Sequence, residues 1–135
     1  MGTDTEVRQV FDPASIAMLG NVVRRRWVEV PEWGGASVCL WGTTFADAAR
    51  IEGDVALEEA NLARFQRRCI ATIIECARDG DGPEARPIFE RTAHWGWLEK
   101  QPNSVLLRLY NVVSELDAID GVTGEQIASF FEIVG

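Results

Sequence analysis

Histidine is nearly missing from this chain: His94 is the only one. That removes the commonest general base and the commonest metal ligand from most of the sequence. A nucleophile needs a nearby base and a group to orient it. Ser104 and Ser114 sit at a predicted helix start and within a predicted helix, with no nucleophile-elbow pattern around them. His94 between Ala93 and Trp95 reads as a partly buried structural histidine. Enzymatic activity is therefore not expected, and no catalytic residue is assigned.

Cysteine is sparse and unpaired. Cys39, Cys69 and Cys76 make an odd count, with no C-x-x-C or H-x-x-x-H spacing for a metal. Cys69 and Cys76 lie two helical turns apart, roughly 10 Å, too far to bridge. All three read as small core fillers in a reducing compartment. The run "DGDGPE" begins like a calcium loop, but Glu84 stands at the sixth position, where glycine is required, and Pro83 disturbs the turn. A plain turn is expected there. Glycine-rich phosphate loops are also lacking, since "LGN" and "WGGAS" have the wrong order. No cofactor and no metal are expected.

Long apolar runs are absent; none approaches the roughly 20 residues of a membrane helix. The opening "MGTDTEVRQV" has neither a basic nor an apolar signal region, so a cytosolic location is expected. Base is scarce as well. The net charge is −8, and in residues 102–135 Arg108 is the sole base against five acids. Nucleic-acid binding needs a basic surface to displace counterions, so neither nucleic acid nor membrane is an expected partner. The trio Arg24 to Arg26 reads as a solvated or salt-bridged patch.

Tryptophan, by contrast, is plentiful, with five residues. Three fall in "RWVEVPEWGGASVCLWG" (26–42). Val28 and Val30 alternate before the turn, and Val38 and Leu40 after it, a period of two. Pro31 ends the first strand, and Gly34-Gly35 allows the reversal. A β-hairpin pairing 26–31 with 36–42 is predicted. Its Val28, Val30, Val38 and Leu40 face is expected to pack on helices, because a lone hairpin is marginal in water.

The rest of the chain reads as helix. Asp12 and Pro13 open a short helix, with Ile16 and Leu19 on one face and Gly20 as its stop. Thr44 with Asp47 caps a helix over 45–52, which Gly53 either ends or interrupts at a cost. A central amphipathic helix from Leu57 carries Leu62, Phe65, Cys69, Ile73 and Cys76 on one stripe, with Arg64, Arg67 and Arg68 on other faces. A loop follows at 78–87, then one or two helical turns at 88–99. The helix over 103–118 has a stripe of Val105, Leu106, Leu109, Val112, Val113 and Leu116. Thr123 and Gln126 form a capping box for a last helix bearing Ile127, Phe130, Phe131 and Val134. The expected architecture is α+β and mainly α-helical: one domain over 1–135, with an N-terminal helix and linker (1–25), a β-hairpin (26–42), and a helical part (43–135) of four to five helices.

Tryptophan buries large area and is favoured at protein contacts, so Trp33, Trp41, Trp95 and Trp97 are candidate partner-binding residues. Trp33, at the turn tip, is where a core role is hardest to arrange. The order of elements then becomes recognisable. "VEVPEWGGASVCLWGTTFADAARIE" resembles the opening of siphophage tail assembly chaperones of the HK97 and lambda type. "NLARFQRRCIATIIECARD", the loop into "PIFE", and "WLEKQPNSVLLRLYNVVSELDAIDG" are similar to the remainder, so the resemblance spans about residues 26–121. It departs at "LDAIDG", where the family is nearer "LNG", at "HWGW", and in the N-terminal helix at 12–20, which does not match. The resemblance implies a non-enzymatic protein of the host cytoplasm that binds the tape measure protein, keeps it soluble, helps recruit tail tube protein, and is absent from the mature virion. It is compatible with a homo-oligomer. A structural tail or neck protein retained in the virion is the alternative.

Overall fold

The computed structural model of the chain describes residues 8–19, 23–56 and 61–118. Its architecture is α+β and mainly helical, as the patterning predicts. A single 3-10 turn, Pro13–Ser15, leads into α1 (Ile16–Leu19). Asp12 caps it as expected, its side chain accepting from the Ala14 N–H at 3.0 Å. Gly20 and the final helix with its Thr123/Gln126 box lie outside the described residues, as does the Leu57 start of the central helix.

Strands β1 (Arg25–Val30) and β2 (Ala36–Trp41) form the hairpin, one residue out of the predicted frame at β1 and one shorter at the end of β2. Val28 pairs with Val38 and Val30 with Ala36. The strand stops before Pro31, as expected, and Pro31 opens a 3-10 turn, Pro31–Trp33, for which its fixed φ is suited. Gly34 and Gly35 then take φ of 72° and 78°, the left-handed region that only glycine enters freely. Val30, Val38 and Leu40 are buried as expected, while Val28 is half-buried against the same core.

A third strand was not predicted. The two residues of β3 (Ala77–Arg78) pair antiparallel with β2, giving the order β1-β2-β3. The predicted 78–87 loop is a folded-back excursion. Ile88 N–H donates to the Ala77 carbonyl at 3.0 Å, Asp79 N–H to the Arg86 carbonyl at 3.0 Å, and Arg78 bridges to Pro87. It covers the second face of β2, which is why Cys39 and Trp41, alternating away from the main core, are nonetheless buried.

Helix α2 (Phe45–Val55) runs through Gly53 rather than stopping there. It starts at the predicted capping box: Asp47 N–H donates to Thr44 Oγ1 at 3.1 Å, and Thr44 N–H to the Asp47 carboxylate at 3.0 Å. Helix α3 (Asn61–Cys76) is central and packs on α2, α4 (Arg91–Glu99) and α5 (Asn103–Leu116). The main core gathers Val30, Val38 and Leu40 of the sheet, Ile70, Ile73 and Ile74 of α3, Leu98 of α4, and Val105, Leu109 and Val113 of α5. Each fully buried aliphatic of this kind contributes about 1.5–3 kcal/mol.

Two expectations for α3 are corrected. Leu62, assigned to the buried stripe, is 70% exposed in the first turn of the helix. Arg68, assigned to an outer face, is only 6% exposed, with a bidentate pair to Glu52 at 3.0 and 3.1 Å. Its aliphatic stem lies between α2 and α3 and its fork finds a carboxylate, the arrangement that makes a buried guanidinium tolerable.

Candidate protein-contact surface

The hairpin turn does not hold Trp33 out into solvent. The 3-10 turn and left-handed Gly34 fold it back against the junction of α4 and α5, where it is half-buried. Its Nε1 donates to Gln101 Oε1 at 2.7 Å. The ring meets Phe89 edge-on at 5.8 Å and Trp97 at 5.3 Å, and Phe89 stacks on Trp97 at 6.1 Å. Such pairs add about 0.5–1.5 kcal/mol beyond their area.

Phe89 and His94 explain why α4 begins where it does. Phe89 precedes the N-cap, Glu90, and its ring lies 5.8 Å from that of His94, four positions into the helix, the place of a hydrophobic staple. His94 Nδ1 accepts the Glu90 backbone N–H at 2.8 Å. The imidazole therefore satisfies a helix start and holds a staple; that nitrogen is occupied by structure.

Trp97 is the outer wall of this cluster and stays 46% exposed. In the turn that carries Trp33, Glu32 pairs with Arg108 at 2.7 Å and ties the turn to α5. The guanidinium holds the Glu32 carboxyl below its ordinary range, and the carboxylate raises Arg108 in return. The result is a half-exposed aromatic patch with a neutralised charge pair at its side.

The four candidate tryptophans therefore separate. Trp33 and Trp97, 64 positions apart in sequence, are brought together, though Trp33 is not the exposed tip that its place in the turn predicts. Trp95 is two residues from Trp97, about 200° around the helix, and points the other way. It packs against both core clusters, with the Arg67 guanidinium 4.7 Å over its ring. Trp41 is buried and cannot meet a partner directly: Arg25 and Arg78 lie 3.9 and 4.7 Å over its ring, and its Nε1 donates to the Gly80 carbonyl at 2.9 Å. Phe89 and Gln101 complete the patch and were not predicted. The aromatic just ahead of α4 in "PIFE" is the signal that could have found Phe89.

The other reactive side chains are committed elsewhere. Burial pushes the Cys69 thiol up to about 12, Cys76 well above its ordinary range, and Cys39 up, so all three remain protonated at neutral pH. Asp79 accepts from the Arg86 N–H at 2.8 Å, and Asp81 from Trp27 Nε1 at 3.2 Å. Among the described residues, no three His, Cys, Asp or Glu gather as metal ligands, and no helix is long and apolar enough to cross a membrane.

What the geometry defines is a small scaffold that offers an aromatic patch. No protein-family model and no curated protein matches the sequence. Among solved structures, the tail assembly chaperone of bacteriophage HK97 is similar in fold. It is 21% identical, with a TM-score of 0.54, and the alignment covers 81% of this chain and 94% of that one. The chain thus shares the fold that its hairpin motif and element order suggest.

Proposed function

We propose that this chain is a bacteriophage tail assembly chaperone that acts by binding rather than by catalysis. The observation that carries the proposal is the fold shared with the HK97 chaperone across nearly all of that protein. The "VPEWGG" hairpin and the helices that follow it support the same reading. On this reading the chain binds the tape measure protein in the host cytoplasm, keeps it soluble, promotes assembly of the tail tube protein, and is left out of the finished virion. The Trp33–Phe89–Trp97 patch suits such a partner: apolar anchors of an amphipathic helix at i, i+3/i+4 and i+7 fill aromatic surfaces of this kind.

Co-expression with a tape measure protein tests the proposal. Soluble tape measure protein should rise, and the two should co-purify. Trp97→Ala should keep the fold and weaken co-purification. Unchanged solubility with no co-purification overturns the reading. Mass spectrometry of purified particles should find the chain missing; stoichiometric amounts would make it a virion component instead.

A further inference from the structure

Strand β1 is an outer strand: β2 lies on one side, and no described strand lies on the other. Such an edge is a template for another strand unless something blunts it. Its polar groups can be assigned to a side. Gly42 N–H donates to the Arg24 carbonyl at 2.8 Å, so Arg24 faces β2. In an antiparallel ladder the direction alternates. Arg26, Val28 and Val30 therefore also turn their backbone groups to β2. Arg25, Trp27 and Glu29 turn theirs to the side where no described strand lies.

The same three residues share the outer face of the sheet. Trp27 is 49% exposed, and its indole is steadied by the Asp81 carboxylate. Glu29 is exposed as well. Arg25 is held over Trp41 and donates to the Asp81 carbonyl.

We propose that β1 pairs with β1 of a second copy of this chain, antiparallel about a two-fold axis through Trp27. The register follows from two requirements. A two-fold normal to the sheet preserves its faces, so partners must have numbers of the same parity. The outward groups belong to residues 25, 27 and 29, so these must face one another. Centring on Trp27 sets Arg25 against Glu29 of the second copy, Glu29 against Arg25, and Trp27 against Trp27. All outward N–H and C=O groups of the three residues are then satisfied. Centring on Val28 uses fewer of them, and it brings Arg25 against Pro31, which has no N–H to give. Opposite charges directly across an antiparallel pair are favourable and like charges are not. The strand is thus complementary to itself, which is what an isologous interface requires. The product is a continuous six-stranded sheet, β3-β2-β1-β1-β2-β3. This occupant is favoured over an unrelated strand by the charge order Arg–Trp–Glu, which matches its own reverse. The inference does not depend on the chaperone reading.

Sedimentation equilibrium of the full chain tests it. A dimer is expected. Glu29→Arg places two arginines across each end of the ladder and should weaken association about tenfold or more. Raised salt should partly restore it, because the repulsion is screened. Trp27→Glu sets two carboxylates on the axis and should weaken association at least as much. Glu29 is exposed, so the urea midpoint of Glu29→Arg, at concentrations where wild type is monomeric, should be unchanged. Glu84→Arg, on the 78–87 excursion, should leave the dimer intact. A monomer at all concentrations, a species other than a dimer, or a dimer unmoved by both variants overturns the proposal.

Discussion

The two sides of α3 are held by different forces. Towards the sheet and α5 the contact is dry and aliphatic, with Leu40, Ile73, Leu109 and Val105 fully buried. Towards α2 and the start of α4 the apolar part is small, Ile51, Val55 and Ala71 with Trp95 against them, and charges ring it. Glu75 of α3 takes Arg50 of α2 at 3.1 Å and Arg91 of α4 at 3.1 Å; Arg91 also reaches Asp54 at 2.6 Å, and Arg50 pairs with Asp47. Arg68–Glu52 adds another link between α2 and α3. The first interface depends on removing apolar surface from water, which salt barely weakens. The second depends on placement of ion pairs at partly wet sites, which salt does weaken. The contrast implies that α2 is the element most easily released, while the sheet, α3 and α5 form the resistant unit.

The strongest way to sharpen that contrast is a cavity on the dry side. Leu109→Ala should cost about 3 kcal/mol in urea unfolding, with the same loss at low and high salt. A loss below that of Ile51→Ala would break the comparison. On the charged side, Glu75→Gln leaves two arginines facing an amide and should cost about 1 kcal/mol at low salt, shrinking as salt rises. Hydrogen exchange should place the effect in α2 and α4; a salt-independent loss spread over α5 would contradict it. Gly34→Ala tests the turn that carries Trp33. A Cβ there meets no atom within 4 Å, so the expected cost of about 1 kcal/mol comes from the positive φ alone.

The last effect is confined to alkaline pH. Burial holds the Cys69 thiol at about 12 in the fold, against an ordinary value of 9.0. The folded chain keeps a proton that the unfolded chain releases above its ordinary value. The contribution is therefore fully present below pH 9.0 and is lost as pH rises towards about 12. Cys69→Ser should flatten part of that fall in denaturant midpoints measured across the window. An unchanged slope would remove Cys69 as its source; buried Tyr110, also raised by desolvation, titrates in the same direction.

Much of the fold was legible because local chemistry and tertiary need agree. Alternating valines, Pro31 and two glycines specify a hairpin before anything packs on it. Thr44 and Asp47, three apart at a helix start, cap each other through local contacts alone. The stripe from Val105 to Leu116 is buried nearly as drawn. What was not legible involves long separations. Two residues, Ala77 and Arg78, carry no period, so β3 exists only because β2 offers them an edge. Arg68 reads as surface until Glu52, 16 residues earlier, is brought to it. Asp117, in the "LDAIDG" that departs from the family pattern, accepts from Thr43 N–H and Oγ1 at 2.8 and 2.6 Å, pinning the exit of β2 to the end of α5.

The tryptophans divide along the same line. Sequence alone determined that this chain has a hairpin, a set of amphipathic helices, a single histidine and an excess of indole, because those follow from residue type and short-range spacing. It did not determine which indoles face outward. Tertiary structure decided that Trp41 lies under two arginines, that Trp95 seals α4 onto the α2–α3 side, and that Trp33 and Trp97 meet over Phe89. The reason is geometric: exposure belongs to what the rest of the chain lays over a side chain, and no local pattern encodes that.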